Sequence, residues 1–177
     1  MDSRKILYSE GKNDECFTPD YAVKPLLKYV NKDKIVWCPF DDDTSEFVKI
    51  FKKTGYNVYY THIKYGQNFL EYEPDFDWDI IISNPPFTNK RAFFEKALKW
   101  GKPFALLMSN TWLNDSTPKK LFGNDLELLM FWERIKFLDP TGKEMNKGIT
   151  FSSSYFCKGV LPRAIICESL KEYMNEK

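Results

Sequence analysis

Apolar residues recur along the chain in two patterns, short continuous runs and segments with helical spacing. The runs Ile35–Cys38, Ile80–Ile82 and Phe104–Met108 are the length of buried strands, and each is followed by a proline or a serine. Between them, segments 44–55 and 89–101 repeat apolar residues at helical spacing and end at glycine, which predicts two helices. The first two thirds of the chain therefore alternate strand and helix.

The remaining segments complete this pattern and then change it after Leu126. We predict a helix over 21–30, a strand over 57–62 and a short helix over 118–122, followed by strands over 128–132, 134–138, 153–157 and 163–167 with a turn at 139–142. Alternating units joined to consecutive strands predict an α/β fold, a doubly wound and mostly parallel sheet with an antiparallel C-terminal hairpin.

Length and composition fit a single domain over residues 1–177. The chain has 177 residues, of which 43% are hydrophobic and 17% aromatic, so a disordered or collagen-like chain is excluded. Lys and Arg number 26 and Asp and Glu 25, a formal charge of +1 that excludes a polycation coating nucleic acid with its whole surface. Any nucleic-acid contact must come from local patches.

The numbers of cysteines and histidines and the lengths of the apolar runs bear on disulfides, metal binding and membrane contact. The four cysteines form no CxxC pair, which favours reduced thiols over a disulfide framework. His62 is the single histidine, so a multi-histidine metal site is excluded and we expect no metal. No apolar run has the length of a membrane span or a signal peptide, and we expect a cytoplasmic protein without membrane contact.

The segment Asn84-Pro85-Pro86-Phe87 follows a predicted buried strand, where open α/β sheets bind ligands. Two adjacent prolines fix φ and leave no backbone donor, so the carbonyls beside them are rigid acceptors. The Asn84 side-chain oxygen is a further acceptor, and Phe87 offers a flat surface. This combination suits a planar amino group whose nitrogen gains positive charge during attack on an electrophile. The alternative is a rigid loop that only ends a strand.

This motif resembles the catalytic motif of S-adenosylmethionine-dependent amino-methyltransferases, above all the DNA adenine-N6 class. Upstream, Phe17-Thr18-Pro19 resembles the family's Phe/Tyr-Thr-Pro motif, which contacts the methionine part of the cofactor, and the two motifs occur in the family's order. Segment 34–112 is also similar to small phage and prophage adenine-methyltransferase-like proteins. The resemblance implies a Rossmann-like class I methyltransferase, with S-adenosylmethionine as cofactor and Asn84, Pro85, Pro86 and Phe87 as the catalytic residues.

The resemblance also implies a set of cofactor-binding residues, namely Phe17, Thr18, Pro19, Cys38, Pro39, Phe40, Asp41, His62, Asn68 and Phe69. Asp41 would bind the methionine ammonium, or alternatively favour the start of a helix. His62 stands where the family has an acid for the ribose and would hydrogen-bond the ribose, or alternatively it is a surface or packing residue. Asn68 would accept from the adenine amino group, and Phe69 would stack on the adenine or belong to the core. The family's glycines are missing from segment 38–44.

On the substrate side, the resemblance implies contacts from Phe87, Lys90, Arg91, Trp112 and Phe151. Phe151 would pack against an extruded base opposite Phe87, or it is a core residue of a strand. Lys90 and Arg91 would grip a phosphate. Between Arg134 and Arg163, six basic residues meet two acidic ones, which indicates either a phosphate-binding face or a solvated hairpin.

The expected activity is methylation of the N6 amino group of adenine in nucleic acid, with DNA favoured over RNA. Only segments 108–118 and 141–150 look like free loops, so we expect a short target, a single-stranded substrate or a separate recognition partner rather than a recognition domain within the chain. One alternative is a protein glutamine N5-methyltransferase, which uses a similar motif. The other is a degenerate, non-catalytic relative that binds nucleic acid or a partner, with bulky side chains filling the cofactor groove.

Overall fold

A computed structural model describes residues 16–145 and 151–174. The strands are β1 (Ile35–Cys38), β2 (Asn57–Tyr60), β3 (Ile80–Ser83), β4 (Phe104–Ser109), β5 (Glu127–Phe131), β6 (Ser153–Lys158) and β7 (Ile165–Glu168). The α-helices are α1 (Asp20–Val23), α2 (Glu46–Lys53), α3 (Lys90–Trp100), α4 (Ser116–Phe122) and α5 (Lys171–Met174), and three 3-10 helices cover Lys24–Lys28, Ile63–Tyr65 and Asn110–Asn114.

The strands form one sheet of seven in the order β2-β1-β3-β4-β6-β5-β7. Strands β1 to β4 are parallel to one another, β6 is antiparallel to both β4 and β5, and β7 is parallel to β5. This confirms the predicted α/β fold with a mostly parallel sheet and antiparallel pairing near the C-terminus. The antiparallel strand β6 lies between β4 and β5, and β7 forms the edge.

Alternation along the strands divides the core between the two faces of the sheet. Val36 and Cys38 of β1 pack on the face covered by α1 and α2, whereas Trp37 packs with Phe93 and Phe94 of α3 on the other. The same alternation continues in the other central strands, and because both faces are covered, these strands read as continuous apolar runs. The sheet is therefore doubly wound.

Two predicted elements near the termini differ from the structure. The helix expected over 21–30 ends at Val23 and continues as a 3-10 helix, because Pro25 has no N–H to donate within an α-helix. The strand expected over 134–138 is wrong. Ile135 and Phe137 are buried, but among residues 16–145 and 151–174 the β-pairing of this segment consists of isolated bridges of Leu138 to Phe17 and Glu144.

Segment 108–118 was expected to be a free loop, but most of it has regular secondary structure. It forms the end of β4, the 3-10 helix Asn110–Asn114 and the start of α4, and its Trp112 and Pro118 are buried. The turn expected at 139–142 is confirmed by a hydrogen bond from the Gly142 N–H to the Asp139 carbonyl. None of the helices in the described part of the chain is long and apolar enough to cross a membrane.

Candidate active site

A cavity of about 600 Å³ lies at the carboxyl ends of β1, β2 and β3. This is the position where open α/β sheets bind ligands, and the volume is in the range of small-molecule sites. Most of the predicted cofactor and catalytic residues line it, namely Phe17, Thr18, Pro39, Phe40, Asp41, His62, Asn68, Phe69, Asn84, Pro85, Pro86 and Phe87. The topology thus brings four separate parts of the chain to one cavity.

Asn84 follows directly on β3, and its side-chain amide is held in one orientation. Nδ2 donates to the Cys16 carbonyl at 3.3 Å and to Thr18 Oγ1 at 3.2 Å. A backbone carbonyl only accepts, so the nitrogen must face Cys16 and the oxygen must point the other way. Asn84 Oδ1 is buried and has no hydrogen-bond partner among the described residues. The loop therefore presents an oriented acceptor without a donor.

Within the described part of the chain, three other buried side-chain oxygens also lack partners, those of Asn110, Ser153 and Ser154, and their residues do not line the cavity. A buried polar atom without a partner costs free energy of folding. Asn84 differs from these three because its residue lines a cavity large enough for a ligand.

The N-terminal segment that holds Asn84 is itself fixed to the other side of the cavity. Phe17 and Leu138 exchange two backbone hydrogen bonds, both of 2.9 Å. Thr18 is 7% exposed, and the buried Pro19 precedes α1. The motif Phe17-Thr18-Pro19 therefore lies beside Asn84, 66 residues away in sequence.

Asp41, in the loop after β1, braces this loop against β3. Its Oδ1 accepts from Ser45 Oγ at 2.5 Å and its Oδ2 accepts from Ser83 Oγ. The side chain is 8% exposed. Burial raises the pKa of Asp41 to about 6, against the effect of the two hydroxyl donors. Ser45 also caps α2 by accepting from the Phe47 N–H at 3.2 Å, so Asp41 supports the helix start as well as lining the cavity.

Asp42, the next residue, is ionised and paired. It accepts from the Thr44 N–H at 2.8 Å and forms an ion pair with Lys64, which lies after β2. Burial acts to raise the pKa of Asp42, but the hydrogen bonds from Lys64 and Thr44 outweigh it and lower the pKa to about 2. The two loops are therefore joined across the rim of the cavity.

The loop after β1 does not require the family's glycines for its backbone conformation. Among the described residues, Asn89 is the only non-glycine with positive φ, so every residue of 39–45 has a conformation open to side chains. The cavity persists beside this loop even though each position carries a Cβ.

His62 and Asn68 line the cavity, and the side chain of each accepts a hydrogen bond from a nearby backbone N–H. His62 Nδ1 accepts from the Lys64 N–H at 3.1 Å, which in a neutral imidazole leaves the proton on Nε2. Asn68 Oδ1 accepts from the Leu70 N–H at 3.2 Å. A carbonyl oxygen has two lone pairs, so Asn68 retains one acceptor site.

The aromatic residues of the site differ in how much ring they present. Phe69 is 2% exposed and packs with Trp37 and Phe93, so it is mainly a core residue with an edge at the cavity. Phe40 covers it at a centroid distance of 4.7 Å and is less buried. Of the two rings, Phe40 is therefore the better placed to contact a ligand.

Phe151 does not form the wall opposite Phe87. The two rings touch edge to face, with centroids 5.6 Å apart and planes at 85°. A base stacked between parallel rings needs about 7 Å between them, two contacts of about 3.5 Å. The predicted sandwich is therefore wrong for this arrangement, and Phe151 supports Phe87 instead.

Several other predicted residues do not reach the cavity. Cys38 is fully buried in the core beneath it, and burial raises the pKa of its thiol. Pro19 is buried away from the lining. Trp112 is 1% exposed and packs on Phe94 at 4.7 Å, so the expectation that it contacts substrate is wrong.

The two basic residues after Phe87 lie on α3, outside the cavity lining. Lys90 Nζ sits 5.7 Å from the centre of the Trp112 ring, and Arg91 pairs with Glu95 at 2.7 Å on the surface. In the basic region near the C-terminus, Lys136 pairs with Glu144 and Lys158 with Asp125. Arg134, Lys143 and Arg163 are exposed, and Lys147 lies outside the described residues.

Sequence reasoning missed part of the lining. The turn 139–142 and the preceding Leu138 form one side of the cavity, although their composition indicated only a turn. Ser45 and Ser83, the partners of Asp41, were also missed. Ser83 stands directly before the Asn-Pro-Pro-Phe segment, which was a usable signal, whereas nothing local marked the turn.

Among the comparisons with known proteins, the comparison with solved structures found similar chains. No protein-family model and no curated protein match the chain. A solved structure similar to it is that of a proposed class I S-adenosylmethionine-dependent methyltransferase from Listeria monocytogenes, with 12% sequence identity, a TM-score of 0.49 and coverage of 86% of this chain. The chain spans 65% of the length of that protein.

Proposed function

We propose that this protein is an S-adenosylmethionine-dependent methyltransferase that methylates the N6 amino group of adenine in nucleic acid, with DNA favoured over RNA. The observation that carries the proposal is Asn84 Oδ1, a buried acceptor without a partner among the described residues, oriented by two hydrogen bonds. The carbonyl of the next residue, Pro85, is the second acceptor that we propose. A planar amino group with two hydrogens is the donor that fits two such acceptors.

The residues around the cavity fit the proposed cofactor. Its volume of about 600 Å³ accepts a nucleoside-sized ligand, and Phe40, His62 and Asn68 offer a ring surface and polar atoms on one side. Asp41 lines the cavity, and each carboxylate oxygen can accept a second hydrogen bond besides those from Ser45 and Ser83. S-adenosylmethionine, when bound, supplies a methyl group on a positively charged sulfur, whose transfer breaks a C–S bond and forms a C–N bond.

Asn84 contributes by stabilising charge rather than by removing a proton before attack. As N6 uses its lone pair, positive charge grows on the nitrogen and its hydrogens become stronger donors. The Asn84 and Pro85 oxygens accept from these hydrogens, and their dipoles are fixed before the reaction. One proton then leaves N6 for water. The buried position of Asn84 Oδ1 strengthens this interaction because the local dielectric is low.

Phe87 supplies the surface for the base. Phe87 is partly exposed and lines the cavity, and its ring contacts that of Phe151 edge to face. A base within a duplex cannot reach this position, so the target adenine must be flipped out or unpaired. The basic residues Lys90 and Arg91 lie on α3 outside the cavity lining. We therefore propose that target selection comes from a separate recognition partner or that the target sequence is short.

The open cavity also favours an active protein over a degenerate relative. Bulky side chains were expected to fill the groove in a non-catalytic protein, yet a cavity of about 600 Å³ is lined by Asn84, Phe87 and Asp41 together.

Methyl transfer from radiolabelled S-adenosylmethionine to DNA, RNA and cell-extract protein, assayed in parallel, tests the proposal. We expect label in adenine-containing DNA, single-stranded DNA above duplex. A matched oligonucleotide with purine, which lacks the 6-amino group, at every adenine position should accept none. Label that enters protein but neither nucleic acid would replace the proposal with glutamine methylation, and no transfer with no cofactor binding by calorimetry would support a non-catalytic protein.

A further inference from the structure

We infer that Thr18 is a positioning residue whose hydroxyl oxygen holds the Asn84 amide with its carbonyl oxygen turned away from the N-terminal segment, towards a ligand in the cavity. The inference rests on the proposed function for its catalytic consequence. It assigns to Thr18 a role that differs from the cofactor contact which the motif resemblance implies.

The orientation of the Asn84 amide depends on whether both of its hydrogen-bond acceptors are present. Asn84 Nδ2 has two hydrogens, and its two acceptors are the Cys16 carbonyl at 3.3 Å and Thr18 Oγ1 at 3.2 Å. Both bonds must be made to satisfy both hydrogens. With Thr18 Oγ1 absent, one Nδ2 hydrogen loses its acceptor. The hydrogen bond to the Cys16 carbonyl then holds the amide alone, and the amide can turn about its Cβ–Cγ bond.

Thr18 is itself fixed well enough to position another group. Its side chain is 7% exposed, and the neighbouring Phe17 is tied to Leu138 by two backbone hydrogen bonds of 2.9 Å. A β-branched side chain also has few accessible rotamers. The acceptor is therefore rigid, which is what pre-organisation of Asn84 requires.

Thr18 lines the cavity as well as contacting Asn84. A hydroxyl that accepts from Asn84 still has one hydrogen to donate, and that hydrogen has no acceptor among the described residues. A direct cofactor contact would therefore raise the KM for S-adenosylmethionine when Thr18 is replaced. A positioning role would instead lower kcat, because the Asn84 oxygen is misaligned only for the reacting amine.

Thr18→Val removes the acceptor at nearly constant shape, and Thr18→Ser restores it. We expect Thr18→Val to lower kcat about tenfold, the effect of losing one hydrogen bond, with the KM for S-adenosylmethionine within about twofold of wild type. Thr18→Ser should recover most of kcat. A rise in KM with unchanged kcat, or no rescue by serine, would overturn the inference.

A second measurement separates this inference from the proposed function. The side-chain amide signals of Asn84 in a 1H–15N spectrum, assigned by their loss in Asn84→Ala, should shift in Thr18→Val and return in Thr18→Ser, whether or not the protein transfers methyl groups. Unshifted Asn84 signals in Thr18→Val would refute the positioning role even in an active enzyme. Thr18→Ala, which also lacks the acceptor, replaces valine if that variant does not fold.

Discussion

The loops that follow β1 and β3 contribute to the same cavity but use their polar side chains in opposite ways. In segment 39–45, Asp41 accepts from Ser45 and Ser83, and Asp42 accepts from Thr44 and Lys64. After β3, Asn84 is held only through its nitrogen and leaves its oxygen without a partner among the described residues. The first loop uses its polar groups to hold the fold together. The second leaves one buried oxygen without a partner, at a cost in free energy of folding, and the proposed function assigns that oxygen to a ligand.

Among the substitutions proposed here, replacing Asn84 should have the largest effect on kcat. Asn84→Ala removes the unpartnered acceptor, and we expect kcat to fall about 10²- to 10³-fold, as for the loss of one pre-organised group at a site of developing charge. The free energy of unfolding should change by no more than about 1 kcal/mol, because the two lost hydrogen bonds are offset by removal of an unpartnered buried oxygen. Methyl-transfer kinetics and urea denaturation measure the two effects.

The exposed Asn124 provides the matched control, since Asn124→Ala makes the same chemical change outside the cavity. It should leave both kcat and stability at wild-type values. A kcat for Asn84→Ala within threefold of wild type would show that the oxygen is not used in the reaction.

Phe87 lies in the same loop as Asn84 and lines the cavity, so replacing it tests whether this loop also binds the substrate. Stacking of a base on an aromatic side chain is worth about 1–3 kcal/mol, so Phe87→Ala should raise the KM for an adenine-containing single strand about 5- to 150-fold. Phe87→Tyr keeps the ring surface and should stay within about threefold. An unchanged KM in Phe87→Ala would place the base elsewhere.

The fold followed from the sequence where burial decides the pattern. β1 has the predicted bounds, since a continuous apolar run buried on both faces has few other solutions. The strand expected over 134–138 failed because Ile135 and Phe137 alternate as in a strand yet pack against the sheet without joining it. A short alternating segment specifies which side chains are buried, not where its backbone hydrogen bonds go.

The site was predictable to the extent that topology places the carboxyl ends of β1, β2 and β3 together. Trp112 was misplaced because its polar neighbours suggested a loop, whereas its ring fills the space beside Phe94. The contact between Thr18 and Asn84 spans 66 residues and has no local signal. The order of the two motifs along the chain indicated only that they belong to one site.

Asp41 and Asp42 are adjacent carboxylates whose pKa values move in opposite directions, to about 6 and about 2 from an ordinary 3.8. For Asp41, folding favours the protonated form, so its contribution to stability is full below pH 3.8 and is lost as the pH rises through 6. Lowering the pH from 7 to 5 should therefore raise the free energy of unfolding by about 1 kcal/mol through this group. Asp42 contributes stability that is lost only as the pH falls below 3.8, and this contribution does not change between pH 7 and pH 5.

Urea denaturation of wild type and Asp41→Asn at pH 5 and pH 7 isolates the effect, because groups shared by the two proteins, His62 included, cancel in the difference. Equal changes with pH in both proteins would show that Asp41 ionises as an ordinary surface carboxylate, and the hydrogen bonds of its buried carboxylate would then not distinguish the loop after β1 from the loop after β3.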